Sequence, residues 1–173
     1  MATKTFTVMI EDLPRKRLLG NWMSLNVAGD RSEYVQLKEA FSRRLKALPE
    51  ARARPGYGVC AEMRENLDCR YWTAIEASPD GVIPNGMIPI NLAAGPYACL
   101  SAAQGVTLAE FYDYVCNSWE RNQTHYRVDH GKPCFEFFGE NWAGAGGVKL
   151  FVPLKEHYQQ MGLEQPLETA ISA

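Results

Sequence analysis

The chain has few of the features that announce a function outright. It carries three histidines in 173 residues, His125, His130 and His157. No Cys/His group has zinc-site spacing, so no metal is expected. The five cysteines (Cys60, Cys69, Cys99, Cys116, Cys134) are odd in number, irregularly spaced and without a C-x-x-C pair. "MATKTFTVMIED" lacks the apolar core of a signal peptide, so reduced thiols and a cytoplasmic protein are expected. No apolar run approaches a membrane span. Charge of one sign is also lacking: a formal net charge of −2 gives no electrostatic footprint for nucleic acid. The basic stretches "PRKR" (14–17) and "RRLKALPEARARP" (43–55) read as a strand end and a helix-to-loop surface. Neither direct DNA binding nor membrane binding is expected. No Ser/His/Asp, Cys/His or phosphate-loop pattern is present, and no cofactor is implied.

What is there is an ordinary globular composition, 46% hydrophobic and 22% charged. It suits one domain over residues 1–154 with a C-terminal extension, 155–173, that could carry a short helix. Tyr34, Leu37, Phe41, Leu45 and Leu48 recur at helical spacing with charges opposite, predicting a helix over 31–48. Thr107 opens a second helix: "TLAE" fits a capping box, and Leu108, Phe111, Tyr112, Val115 and Trp119 form its stripe. Residues 5–14 and 16–26 read as two strands or one interrupted strand. "GYGVCAEMR" (56–64) and "CRYWTAIEA" (69–77) read as a hairpin, and "MIPINLA" (87–93) and "GPYACLSAA" (95–103) as further strands. Residues 121–133 read as a polar loop. "CFEFFG" and "VKLFVPL" (148–154) close the chain as strands joined by "ENWAGAGG", where Trp142 is either a lid or an exposed aromatic. The order strand, helix, hairpin thus occurs twice, as in a tandem duplication. "CAEMREN" (60–66) echoes "CFEFFGEN" (134–141) and pairs Glu62 with Glu136. The expected fold is α+β: an antiparallel sheet with two helices on one face and a groove at a pseudo-twofold axis on the other.

Glu136 is the most informative residue. On a strand it shares a face with Cys134 and Phe138, while Phe135 and Phe137 point the other way. An ionised carboxylate in such surroundings is costly unless it is solvated, paired with a cation or used. Lys149, two residues before Phe151 and on the same face, is a candidate partner.

The segments resemble the GyrI-like small-molecule-binding domain, the effector-binding domain of AraC- and MerR-type multidrug regulators, here in stand-alone form. The likeness rests on "KRLLGNWMSL", on the stretch from "GYGVCAEMR" to "GPYACLSAAQG", on "EFYDYVCNSW" and on "KPCFEFFGEN…VKLFVPL", in that order over residues 5–154. It implies a duplicated module with a ligand groove. Glu136 would be its acidic residue, Phe138 and Phe151 its lining, and Tyr97 and Trp119 a wall; Trp72 is added by pseudo-symmetry. Core packing is the competing reading for each aromatic. The chain departs from the family pattern in three places. Glu120–Arg121 follows Trp119 where Leu-Pro is usual, and Phe138 and Phe151 stand where tyrosines are common.

Aromatic faces around a carboxylate suit a lipophilic organic cation. The leading expectation is therefore a protein that senses or sequesters hydrophobic, cationic small molecules. The alternative within the same family is a hydrolase that opens cyclopropane rings of alkylating natural products. Glu136 would then be the base and Glu62 a possible second carboxylate. A gyrase or regulator partner is a third reading, with no clustered acidic surface behind it.

Overall fold

The longest strand, β2 (Lys16–Asn26), lies between two neighbours, and this placement sets the architecture. The computed structural model describes residues 6–52, 54–78, 80–102, 105–139 and 148–157. In chain order the strands are β1 (Met9–Leu13), β2, β3 (Gly56–Ala61), β4 (Asp68–Glu76), β5 (Ile88–Leu92), β6 (Gly95–Ala102), β7 (Tyr126–Val128), β8 (Cys134–Gly139) and β9 (Val148–Glu156). They form one antiparallel sheet in the order β1-β6-β9-β8-β3-β4-β2-β5, with β7 added on β9. Pro14 and Arg15 divide β1 from β2, and the two strands join opposite ends of the sheet. The order strand, helix, hairpin occurs over Lys16–Glu76 and again over Gly95–Glu156, and β3 pairs with β8.

Both main helices lie on one face. Helix α1 (Ser32–Lys46) buries Phe41 and Leu45 against Leu19 and Ile75, and its first turns lay Tyr34 and Leu37 on Tyr71. A single turn, α2 (Pro49–Arg52), follows it. Helix α3 (Leu108–Tyr114) buries Leu108 and Phe111, and continues through a π turn (Val115–Trp119) and a 3-10 turn (Glu120–Asn122). Its predicted start is realised atom by atom: Thr107 Oγ1 accepts from the Glu110 amide at 3.1 Å, and the Glu110 carboxylate accepts from the Thr107 amide at 3.0 Å. Thr107→Ala should cost about 1 kcal/mol, read as a lowered midpoint in urea with an unchanged slope.

The sheet's other face has its own core of Leu18, Tyr57, Val59, Trp72, Tyr97, Phe135 and Phe151. Two apolar faces explain why β3 and β4 read as nearly continuous hydrophobic runs rather than alternating ones. The segment 121–133, expected as a loop, contains the short strand β7, held by its ladder to Leu154–Glu156 of β9. Trp142 and the expected tail helix fall outside the described residues.

Candidate ligand site between the helices

In the central strand pair Gly58 of β3 stands directly opposite Glu136 of β8. A side chain at residue 58 would occupy the space over the strand; glycine leaves it for the ring of Tyr71, which reaches across from β4. The Tyr71 hydroxyl donates to Glu136 Oε1 at 3.1 Å. A β-carbon built at Gly58 would lie 1.9 Å from that hydroxyl oxygen. Tyr71 is fixed in turn by α1, where the Tyr34 ring meets it edge-on at 5.0 Å.

One turn along α1, Lys38 leans over the same site. Its ammonium lies 4.6 Å from the centre of the Tyr34 ring and 3.8 Å from that of Phe138. These groups line a cavity of about 400 Å³, bounded by Arg31, Tyr34 and Lys38 on one side and by Thr107–Ala109 at the start of α3 on the other. Glu136 and Phe138 rise from β8 as its floor.

The electrostatics follow from enclosure. Burial raises the Glu136 pKa above the ordinary carboxylate value; Lys38, the Tyr71 hydrogen bond and Arg31 oppose that rise without cancelling it. Burial lowers the Lys38 pKa, Glu136 pulls it back up, and Arg31 adds to the lowering. Tyr34 and Tyr71 are both pushed above the usual phenol value, first by burial and then by the nearby Glu136 charge. The cavity therefore holds a carboxylate and an ammonium in aromatic surroundings.

The groove expected on the face away from the helices is corrected here: Glu136 is on the helix-bearing face. Register is the reason. Phe135 pairs with Phe151, Glu136 with Leu150 and Phe137 with Lys149, so Phe151 and Lys149 point to the reverse face. Lys149 does not reach Glu136 but pairs loosely with Glu11 at 3.8 Å. Of the residues expected to line one groove, the structure brings together Glu136 and Phe138. Phe151 and Tyr97 line a smaller reverse-face hollow of about 130 Å³, where Phe151 stacks on Phe135 at 4.6 Å. The Tyr97 hydroxyl donates to the Ala93 carbonyl at 2.7 Å. Trp72 is buried on that face beside Trp22, with ring centres 6.4 Å apart. Trp119 sits in the π turn, half-buried against the helix-side core. Glu62 does not repeat the setting of Glu136, because β3 ends at Ala61. Glu62 begins the turn with φ 55° and, itself exposed, faces the half-buried Arg70 at 3.4 Å.

Sequence reasoning missed Gly58, Tyr71, Tyr34, Lys38 and Arg31. The sequence reading places Tyr34 in the apolar stripe and does not single out Lys38. A signal existed for one pair: Tyr34 and Lys38 are one turn apart, which stacks them on the same helix face. His130, expected on a surface loop, approaches the Tyr112 hydroxyl with Nδ1 at 3.1 Å. Among the described residues no group of three or more His, Cys, Asp or Glu side chains is placed to hold a metal ion. No helix among them is long and apolar enough to cross a membrane.

No protein-family model matches the chain, and no curated protein matches it at the sequence level. Solved structures share its fold. SAV2435, solved bound to tetraphenylphosphonium, gives a TM-score of 0.54 at 15% identity, over 87% of this chain and 94% of its own. A candidate bacterial transcription regulation protein from Staphylococcus aureus MU50 gives 0.52 at 15% identity, covering 87% of this chain and 99% of its own. EcmrR, solved in complex with DNA, gives 0.57 at 12% identity over 87% of this chain; the match spans 58% of EcmrR. At such identities the likeness is one of fold.

Proposed function

We propose that this chain is a small-molecule-binding domain of the GyrI-like, effector-binding type, taking a lipophilic organic cation in the cavity between α1 and α3. One observation carries the reading: a half-buried carboxylate, Glu136, on the floor of a cavity walled by Tyr34, Tyr71 and Phe138. A volume of about 400 Å³ lies within the range of drug-sized ligand sites, about 300–1,000 Å³. Ring faces and a partly desolvated carboxylate both favour positive charge on the ligand. The fold shared with SAV2435, a protein solved with a lipophilic cation bound, supports the same class of ligand.

The test is calorimetric titration of the purified chain with tetraphenylphosphonium, followed in parallel by tryptophan fluorescence. Saturable one-to-one binding is expected. Absence of heat and of any spectral change with this cation, and with a flat cationic dye such as a rhodamine, would sink the reading.

The burial that raises the Glu136 pKa also suits a general base, which favours the hydrolase as the second reading. Glu62 is not available to it as a second carboxylate. Ring-opened product from a cyclopropane-bearing alkylator, lost in Glu136→Gln, is the result that would decide for it.

A further inference from the structure

The cavity already contains an organic cation supplied by the chain itself. The Lys38 ammonium rests against the faces of Tyr34 and Phe138, at 4.6 and 3.8 Å from their centres, in the field of Glu136. These are the contacts that a bound alkylammonium or phosphonium would make. We propose that Lys38 is a tethered competitor for the ligand site. In this view an incoming cation binds by displacing the Lys38 ammonium from the two rings and from the field of Glu136, so Lys38 sets the charge and affinity threshold of the site. The proposal rests on the cation-binding reading above and specifies how that site discriminates.

Charge arithmetic supports exchange over simple addition. The cavity lining holds one carboxylate, Glu136, against two cations, Arg31 and Lys38. A ligand cation added with Lys38 in place would set two close positive charges against one negative in a partly desolvated space, with the solvent-exposed Arg31 adding a weaker, screened repulsion. Displacement restores the balance. Lys38 is suited to leave: it is half-buried on α1, and its flexible stem can carry the ammonium outward to solvent. A neutral ligand of similar shape has no charge to offer Glu136 in exchange. It would have to fit around Lys38, so the site selects for charge by competition as well as by attraction.

The experiment compares tetraphenylphosphonium titrations of the wild type, Lys38→Met, Lys38→Arg and the double variant Lys38→Met/Glu136→Gln. Lys38→Met should bind the cation about tenfold more tightly. Lys38→Arg should stay near wild type, and the double variant should lose the gain.

A second readout is the pH profile, since tetraphenylphosphonium has no proton to lose. Wild-type affinity should rise from neutral to alkaline pH as Lys38 deprotonates, and the Lys38→Met profile should lack that alkaline rise. The other groups facing Lys38 do not produce that slope. Arg31, the residue at the N-cap of α1, is common to both proteins. Glu136 on β8 is present in both proteins, so the Lys38→Met profile carries its contribution and serves as the reference for the wild-type slope. Burial keeps Tyr34 on α1, Tyr71 on β4 and Cys60 on β3 protonated. Glu110 on α3 is held in the capping box.

If the wild type binds while Lys38→Met is no tighter and neither profile shows an alkaline rise, the competitor role is overturned and the binding reading stands. If neither protein binds the cation, both fall. Binding by Lys38→Met with none by the wild type would be the strongest support. Should Lys38→Met fail to fold by circular dichroism, the wild-type pH profile and Lys38→Arg decide the matter.

Discussion

Glu136→Gln should weaken tetraphenylphosphonium binding by about 2 kcal/mol or more, some thirtyfold in Kd, while leaving the fold intact. Glutamine keeps the shape of the side chain and an oxygen to accept the Tyr71 hydroxyl, so the 3.1 Å hydrogen bond has a replacement. What it removes is the charge. In a cavity that partly excludes water, one unit of opposite charge a few ångströms from the ligand is worth as much as any single ring contact, about 0.5 to 2 kcal/mol. A second readout separates this role from a merely structural one. Burial raises the Glu136 pKa above its ordinary value of 4.5. Between the ordinary and the raised value the folded state holds a proton that the unfolded chain has released. Stability therefore falls as pH climbs through that window. Glutamine does not titrate, so the variant should lose this part of the slope in urea denaturations run across the carboxylate range. Equal affinity for the cation in both proteins would remove Glu136 from the site. An unchanged pH slope would show that Glu136 is not held in a shifted environment.

Much of the scaffold was legible because its signals are local. The stripe Tyr34, Leu37, Phe41, Leu45 marks α1, and a four-residue pattern at Thr107 marks the start of α3, since a capping box is satisfied within one turn. The strand β7 was not legible: three residues between two polar histidine-bearing turns carry no period, and β9 supplies the reason they extend. The site was legible in part for the same cause. Alternation along β8 put Glu136 and Phe138 on one face, because that needs only the strand itself. Placing Phe151 and Lys149 required the β8–β9 register, and a shift of one residue exchanges the faces. Tyr71 required more. Its contact with Glu136 depends on the pairing of β3 with β8, strands separated by more than 70 residues, and on an intervening residue with no side chain. Nothing local to Lys38 singles it out from the other charged residues of the helix. Its stem lies at the edge of the apolar stripe, where a lysine can turn inward if a carboxylate and ring faces wait there.

Gly58→Ala is the sharpest test of that geometry. The added methyl would stand 1.9 Å from the Tyr71 hydroxyl oxygen, 2.8 Å from the ring carbon that bears it and 3.2 Å from Glu136 Oε1. The Tyr71 ring cannot swing aside freely, since it is 1% exposed and wedged against Tyr34. The alternatives are displacement of the ring, with loss of its hydrogen bond to Glu136, or separation of β3 from β4. Overpacking of this kind costs about 1–3 kcal/mol, and an unmade hydrogen bond to a charged group adds about 1.5–3. A fall in stability of about 3 kcal/mol is expected, close to 10 °C in Tm for a chain of this size, with cation affinity reduced alongside. The second substitution Tyr71→Phe deletes the oxygen at the closest contact. Tyr71→Phe alone should destabilise, because Glu136 loses a donor, yet in the Gly58→Ala background it should recover part of the lost stability. That reversal of sign is a coupling between residues 58 and 71 that a double-mutant cycle measures directly. Additive effects, or a Gly58→Ala protein as stable as wild type, would mean that Tyr71 does not cross β3 to reach Glu136.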